Sequence, residues 1–280
     1  MKSTKRDRAE RRHVEVGQGA GGDPPAVALR SVTKHYGSRL HRVEALRDVT
    51  VELPRGSLSA IMGLSGSGKS TFVQVAAGLD RPSAGSVHLA GLDLASFHRR
   101  ALSVLRRQRV GFVFQAFNLL PSLSVAENIA LPLRLDRRPV DTAELRALAE
   151  RVGVAGLLRR LPGTLSGGQA QRVAIARALV TRPEVVFADE PTASLDPVSS
   201  EAVVELLRQA VDEFGQTVVV VTHEPAVAAR ADRALLLDRG RLVSILDAPG
   251  AVELAEQLHR LGGTHHERLG AAHRTEEQVA

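Results

Sequence analysis

Gly63-Leu64-Ser65-Gly66-Ser67-Gly68-Lys69-Ser70-Thr71 is the stretch from which the rest of the chain is read. It fits the pattern G-x-x-x-x-G-K-[ST]. Its glycines let the backbone curl until several N–H groups point into one concavity, and such a nest holds anionic oxygens. Lys69 places a positive charge where β- and γ-phosphates would lie, and Ser70 offers a hydroxyl to Mg²⁺. The flanks agree with this reading. Leu58-Ser59-Ala60-Ile61-Met62 is predicted to be a buried strand leading in. Lys69 to Ala77 is predicted to be a helix leading out, its N-terminal dipole favouring phosphate.

Three more apolar runs end in polar groups. Glu184-Val185-Val186-Phe187-Ala188-Asp189-Glu190 ends in two carboxylates, and Thr217-Val218-Val219-Val220-Val221-Thr222-His223 ends in an imidazole. Val110-Gly111-Phe112-Val113-Phe114-Gln115 ends in an amide. Strands without alternation, separated by helical segments, indicate a parallel sheet buried on both faces. Ligands of such sheets sit outside the C-terminal strand ends, where the glycine-rich loop, Gln115, Asp189, Glu190 and His223 all fall. Asp189 can hold Mg²⁺ through water, and Glu190 can orient or deprotonate an attacking water. His223 at a neighbouring strand end can reach a γ-phosphate.

The other segments place these motifs. Ala26–Val32, Val43–Leu46 and Val49–Leu53 read as strands, with Tyr36 between them as an aromatic face able to stack on a base. Gly85–Ala90 is one more strand. From Leu94 to about Leu161 the pattern turns helical, with Arg99, Arg100, Arg106, Arg107 and Arg109 on a basic face. Val125–Leu135 and Thr142–Val152 are helices, the latter entered through a capping box at Asp141–Glu144. Helices follow from Gln169 to Leu179 and from Val198 to Phe214. Ala234–Val243 closes as a hairpin, and Val252, Leu254, Leu258 and Leu261 mark an amphipathic helix.

Composition narrows the setting. The 280 residues include no Cys, which removes disulfides and thiolate metal sites. No run approaches the roughly 18 apolar residues that cross a bilayer. The charged start (Lys2, Lys5, Arg6, Arg8, Arg11, Arg12) has no apolar region after it, so no secretory signal is expected. The net charge of +6 suits ordinary arginine-rich composition better than a nucleic-acid surface. His265-His266 reads as a solvated pair in a tail.

Leu165-Ser166-Gly167-Gly168-Gln169 adds a second helix N-terminus suited to phosphate. One nucleotide does not need two such sites from one chain, so a second copy would use the second. Taken together, residues 27 to 245 resemble the nucleotide-binding subunit of ABC transporters. The matching motifs are the phosphate loop 63–71, Gln115 (Q-loop), Leu165–Gln169 (signature), Val185–Glu190 (Walker B with its Glu), Ala193-Ser194-Leu195-Asp196 (D-loop) and His223 (switch histidine). Tyr36 matches the family's adenine-stacking aromatic.

The resemblance implies an α/β fold: a P-loop NTPase core with a mostly parallel sheet, an N-terminal antiparallel β-subdomain and an inserted helical subdomain at about 95–175. The cassette is expected over 26–245, after a disordered basic arm (1–25) and before a C-terminal helix and disordered tail (246–280). ATP and Mg²⁺ are the implied ligands. ATP would bind Tyr36, Gly63 through Thr71, and Ser166, Gly168 and Asp196. Ser70, Gln115 and Asp189 would hold the metal. Lys69, Gln115, Glu190 and His223 would serve catalysis. The implied assembly is a head-to-tail homodimer with two ATPs between its halves, on the cytoplasmic face of a membrane beside a separate permease.

Val43–Leu46, Gly78–Pro82, Gly111–Gln115, Phe117–Pro121 and Glu127-Asn128 resemble the macrolide-export and lipoprotein-release branch. Ala170, Leu161–Thr164 and Ser194 depart from it without removing a catalytic group. Phe117–Leu133 is expected to form the permease's docking groove. The alternative function is an ATPase driving a permease-like protein that regulates cell-wall enzymes without transport. Nucleic-acid work is not expected, because only about 50 residues separate Gln115 from Ser166 and there is one cassette.

Overall fold

The computed structural model describes residues 23–37 and 41–262. Most of the expected N-terminal arm and the tail with His265-His266 lie outside the described residues. Two sheets carry the fold. Strands β1 (Val27–Tyr36), β2 (Val43–Leu53), β4 (Ala84–Leu89) and β5 (Leu92–Asp93) form an antiparallel sheet in the order β2-β1-β4-β5. Strands β3 (Leu58–Met62), β6 (Val110–Phe114), β7 (Val185–Asp189), β8 (Val218–Val221), β9 (Arg233–Asp238) and β10 (Arg241–Asp247) form the second, in the order β10-β9-β3-β8-β7-β6. All of its pairings are parallel except the closing β9–β10 hairpin.

The central strands lack sequence alternation because both of their faces are apolar and covered. Val218 and Val220 of β8 enter one core cluster, while Val219 and Val221 enter the other. Strand β7 divides the same way, with Val186 and Ala188 on one side and Val185 and Phe187 on the other. Helices α3 (Val125–Leu135), α4 (Thr142–Arg151), α5 (Gly167–Leu179) and α6 (Pro197–Phe214) contribute to the first cluster. Helices α1 (Lys69–Ala76) and α2 (Arg99–Arg109) contribute to the second, with residues of β1 and β2. The short α7 (Pro225–Ala228) and α8 (251–262) complete the first, where Leu254 is buried.

Several elements differ from the sequence reading. Tyr36 does not lie between strands; it is the last residue of β1, paired with Val43. The two segments 43–46 and 49–53 are one strand with irregular register, and Asp48 takes a left-handed φ of 50° inside it. The helix expected from Leu94 begins at Arg99. Leu94–Ser96 form a single 3-10 turn, capped by the Asp93 carboxylate accepting from the Ala95 N–H, after residues 92–93 pair with β4.

The basic face of α2 is largely used inside the fold. Arg106 donates to the Gly78 carbonyl, Arg107 to the Leu135 carbonyl, and Arg109 pairs with Glu184 at 2.7 Å. At α4, Asp141 accepts from the Ala143 and Glu144 N–H groups, but the reciprocal half of the expected capping box is not made. The Glu144 carboxylate pairs with Arg182 instead, at 3.0 Å.

Candidate active site

Strands β3, β8, β7 and β6 are consecutive parallel neighbours, so their C-terminal ends form one edge. Along that edge lie the glycine-rich loop after β3, His223 after β8, Asp189 and Glu190 at the end of β7, and Gln115 after β6. The ladder runs on past the strands: Thr222 N–H donates to the Ile61 carbonyl (3.1 Å) and Glu190 N–H to the Val221 carbonyl (2.9 Å). Residues far apart in sequence are thereby fixed by backbone bonds rather than by their side chains.

The loop is wedged between β2 and the β9–β10 turn. The Ser67 carbonyl accepts from Gly240 N–H at 2.8 Å. Gly68 has a left-handed φ of 106°, and a Cβ there would lie 2.5 Å from the Ala45 carbonyl oxygen. A Cβ on Gly63 would lie 2.2 Å from the Leu237 carbonyl oxygen. Lys69 Nζ donates to the Gly63 (2.7 Å) and Leu64 (3.0 Å) carbonyls. Burial lowers the Lys69 pKa, against the pull of Glu190 and Asp189. Burial also raises the Asp189 pKa, repulsion from Glu190 adds to the rise, and Lys69 opposes it.

The residues present fit a phosphate chain with a hard cation. Gly63 and Gly68 let the loop pack against the Leu237 and Ala45 carbonyls, a Cβ on Gly66 would meet open space, and the buried Ser67 hydroxyl has no hydrogen-bond partner. Lys69 carries charge beside the cradle. Ser70, Gln115 and Asp189 are oxygen donors, the type Mg²⁺ prefers, and the strained charge of Asp189 would be relieved by a cation.

Glu190 takes a left-handed φ of 46° and its carboxylate oxygens lie 3.0 Å from His223 Nδ1. An ionised carboxylate only accepts, so Nδ1 carries the proton and the Nε2 edge is left for another partner. Gln115 is exposed beside these groups. Tyr36 stands near α1, its hydroxyl donating to Asp80 Oδ2 (3.0 Å), with Gln74 Oε1 3.4 Å away. Lys34 Nζ sits 4.8 Å from the Tyr36 ring centroid and 2.8 Å from Asp80. Burial alone would raise the Asp80 pKa, but bonds from Lys34, Tyr36 and the Arg81 N–H together hold it low.

Ser166, Gly168 and Asp196 form a second cluster with different neighbours. Ser166 caps α5 in a true capping box, with Gln169 Oε1 accepting back from the Ser166 N–H at 3.0 Å. Gly168 is buried against α6, where a Cβ would lie 2.7 Å from Ser199 Oγ. Asp196 caps α6 by accepting from Ser199 N–H at 2.9 Å, and those Ser199 bonds lower its pKa. A cleft of about 900 Å³ lies between α4 and the C-terminal ends of α5 and α6. None of the expected site residues lines it.

Comparison with known proteins decides the family. Residues 46–193 match the family model described as "ABC transporter". The chain belongs to the ABC transporter family. The lipoprotein-releasing system ATP-binding protein LolD of Bordetella pertussis (strain Tohama I) is 44% identical over 220 residues, covering 78% of this chain and 95% of that protein. The macrolide export ATP-binding/permease protein MacB of Neisseria gonorrhoeae is 40% identical over 220 residues, 78% of this chain and 34% of that protein. The ATP-binding cassette MJ0796, solved as a dimer in a post-hydrolysis state with ADP and Pi, superposes with TM-score 0.72 at 39% identity, over 80% of this chain and 99% of that one.

The expected cassette fold is thus present. This chain is an ATP-binding ATPase cassette of that family, and the MJ0796 cassette it resembles was solved as a dimer with ADP and Pi. No helix among the described residues is long and apolar enough to cross a membrane.

Sequence reasoning missed the groups that hold the site in place. Asp80 and Lys34 brace Tyr36, and Gly240 fixes the phosphate loop. Asp80 lies 44 residues from Tyr36 and Gly240 far from the loop, which no local spacing shows, whereas Lys34 shares a strand face with Tyr36. One signal was available: Ser124-x-x-Glu127 and Ser166-x-x-Gln169 are both capping-box patterns, and both boxes form.

Proposed function

We propose that this cassette, spanning about 26–245, drives an export or lipoprotein/lipid-extraction permease from the cytoplasmic face of the membrane. The similarity to LolD and MacB supports the branch. The alignment of four strand ends on one edge carries the catalytic part.

In this reading the N–H groups of the loop 63–71 and Lys69 bind the phosphates of ATP. Ser70, Gln115 and Asp189 hold Mg²⁺, which when bound neutralises charge on the β- and γ-phosphates. Glu190 orients or deprotonates the attacking water. His223 holds Glu190 through Nδ1 and turns Nε2 toward the γ-phosphate. Tyr36, with its hydroxyl anchored on Asp80, presents its ring to adenine. Ser166 and Gly168 face the nucleotide on the partner's loop, and Asp196 carries the state of one site to the other.

The groove for the permease lies along Phe117–Leu133, where Leu120 is 44% exposed. Phe117→Asp should abolish co-purification with the permease; retention would refute that groove. The paired mechanism is tested by dilution. Specific Mg-ATPase activity should rise with protein concentration, because the active unit is bimolecular. Activity independent of dilution, from a species that light scattering shows to be monomeric, would refute it.

A further inference from the structure

Helix α5 carries two polar side chains that the chemistry above does not use. Gln171 is fully buried; its Nε2 donates to the Pro191 carbonyl at 2.7 Å, while its Oε1 has no hydrogen-bond partner. Arg177 donates to the Phe117 carbonyl at 2.7 Å and to the Asn118 carbonyl, and burial disfavours its charge. A buried amide satisfied at one end returns little net stability. A guanidinium drawn out of water is a costly way to hold two carbonyls. Both ties end beside the site. Pro191 follows Glu190, and Phe117 lies two residues past Gln115. Glu190, Phe117 and Asn118 all take left-handed φ values, of 46°, 58° and 51°. Such backbone persists only where surrounding contacts impose it. At the N-terminal end of the same helix stand Ser166 and Gly168.

We propose that α5 is a positioning bar between the two nucleotide sites of the dimer. Its first turn meets the nucleotide on the partner's loop. Gln171 and Arg177 carry the resulting position of the helix to the loops that hold this chain's own Glu190 and Gln115. Both residues act through those loops and contact no substrate. The proposal rests on the paired-cassette reading above.

The test uses the full-length chain. Gln171→Met keeps the side chain's length and removes both the tie and the orphaned oxygen, so the fold is retained. Trinitrophenyl-ATP binding, thermal unfolding and the ATP dependence of Mg-ATPase are measured. Nucleotide affinity should stay within about twofold while kcat falls about tenfold or more. The Hill coefficient for ATP should fall from about 2 toward about 1. Arg177→Met should behave alike, and Arg177→Lys should regain part of kcat, since an ammonium can still reach one carbonyl.

Unchanged kcat and Hill coefficient in both Met variants would overturn the proposal. Parallel loss of affinity, melting temperature and kcat in Gln171→Met would also overturn it, as a purely structural role. A wild-type Hill coefficient of about 1 with full activity in Ser166→Ala would sink the paired reading itself, and that failure is seen without any α5 variant.

Discussion

Gly168→Ala separates two things that a signature glycine does. In an unhindered helix the change favours folding by about 1 kcal/mol. Here the new Cβ would lie 2.7 Å from Ser199 Oγ and 2.9 Å from Ser199 Cβ. The hydroxyl can rotate away, but the Cβ cannot. Comfortable carbon–carbon contact needs about 3.5–4 Å, so α5 and α6 must part by roughly 0.5–1 Å. Overpacking of this kind costs about 1–3 kcal/mol, which leaves a net loss of about 0–2 kcal/mol. For a domain of this size the melting temperature should drop by at most about 8 °C.

The displacement falls on the helix ends that hold Ser166 and Asp196. Binding of ATP to the isolated chain should not change, because the chain's own loop provides it. ATP-driven pairing should weaken about tenfold or more, equivalent to about 1.4 kcal/mol. The assay is light scattering in a Glu190→Gln background, with nucleotide affinity measured in parallel. Ser199→Gly in the same chain should restore the lost stability. Pairing equal to the parent's, or a weaker affinity of the isolated chain for ATP, would refute the reasoning.

Other perturbations follow from the same geometry. Gly68→Ala combines a left-handed φ of 106° with a carbonyl oxygen 2.5 Å from the new Cβ, so neither loop nor strand can yield cheaply. It should cost about 3 kcal/mol in urea unfolding and abolish nucleotide binding. Asp189 has a raised pKa from burial and from Glu190, so its ionised form weakens the nucleotide-free fold. That loss sets in as pH rises from the ordinary carboxylate value through the raised one, and it is absent below both. Asp189→Asn should therefore stabilise the nucleotide-free protein at neutral pH, flatten its acid-side pH profile and abolish Mg-dependent turnover. Asn128 is buried and bonds to Leu120 N–H and to the Leu120, Leu123 and Ser124 carbonyls. Asn128→Ala should cost about 2–4 kcal/mol and speed amide exchange across 120–124.

The sheet edge was legible because each central strand is a short apolar run that stops at a polar group. Parallel pairing turns such stops into one line, so Gln115, Asp189, Glu190 and His223 group together from sequence alone. The helix starts were less legible. Residues 92–93 could join β4 or continue into a helix, and only the Asp93 cap decides it. Tyr36 was displaced from its loop because β1 and β2 absorb irregular register at Ser31 and Asp48 and so run on to residue 36. The braces were not legible at all. Gln171 finds Pro191 20 residues on, and Arg177 finds Phe117 60 residues back, through packing that no local pattern encodes.

The account stands on a nucleotide site built from two chains. Its most direct measurement is the mass of Glu190→Gln in solution with ATP and Mg²⁺. That substitution removes the water-activating carboxylate yet keeps its shape, so a stable dimer should form with ATP and dissolve when ATP is replaced by ADP. A monomer at saturating ATP, with nucleotide bound as tightly as in the wild type, would contradict it.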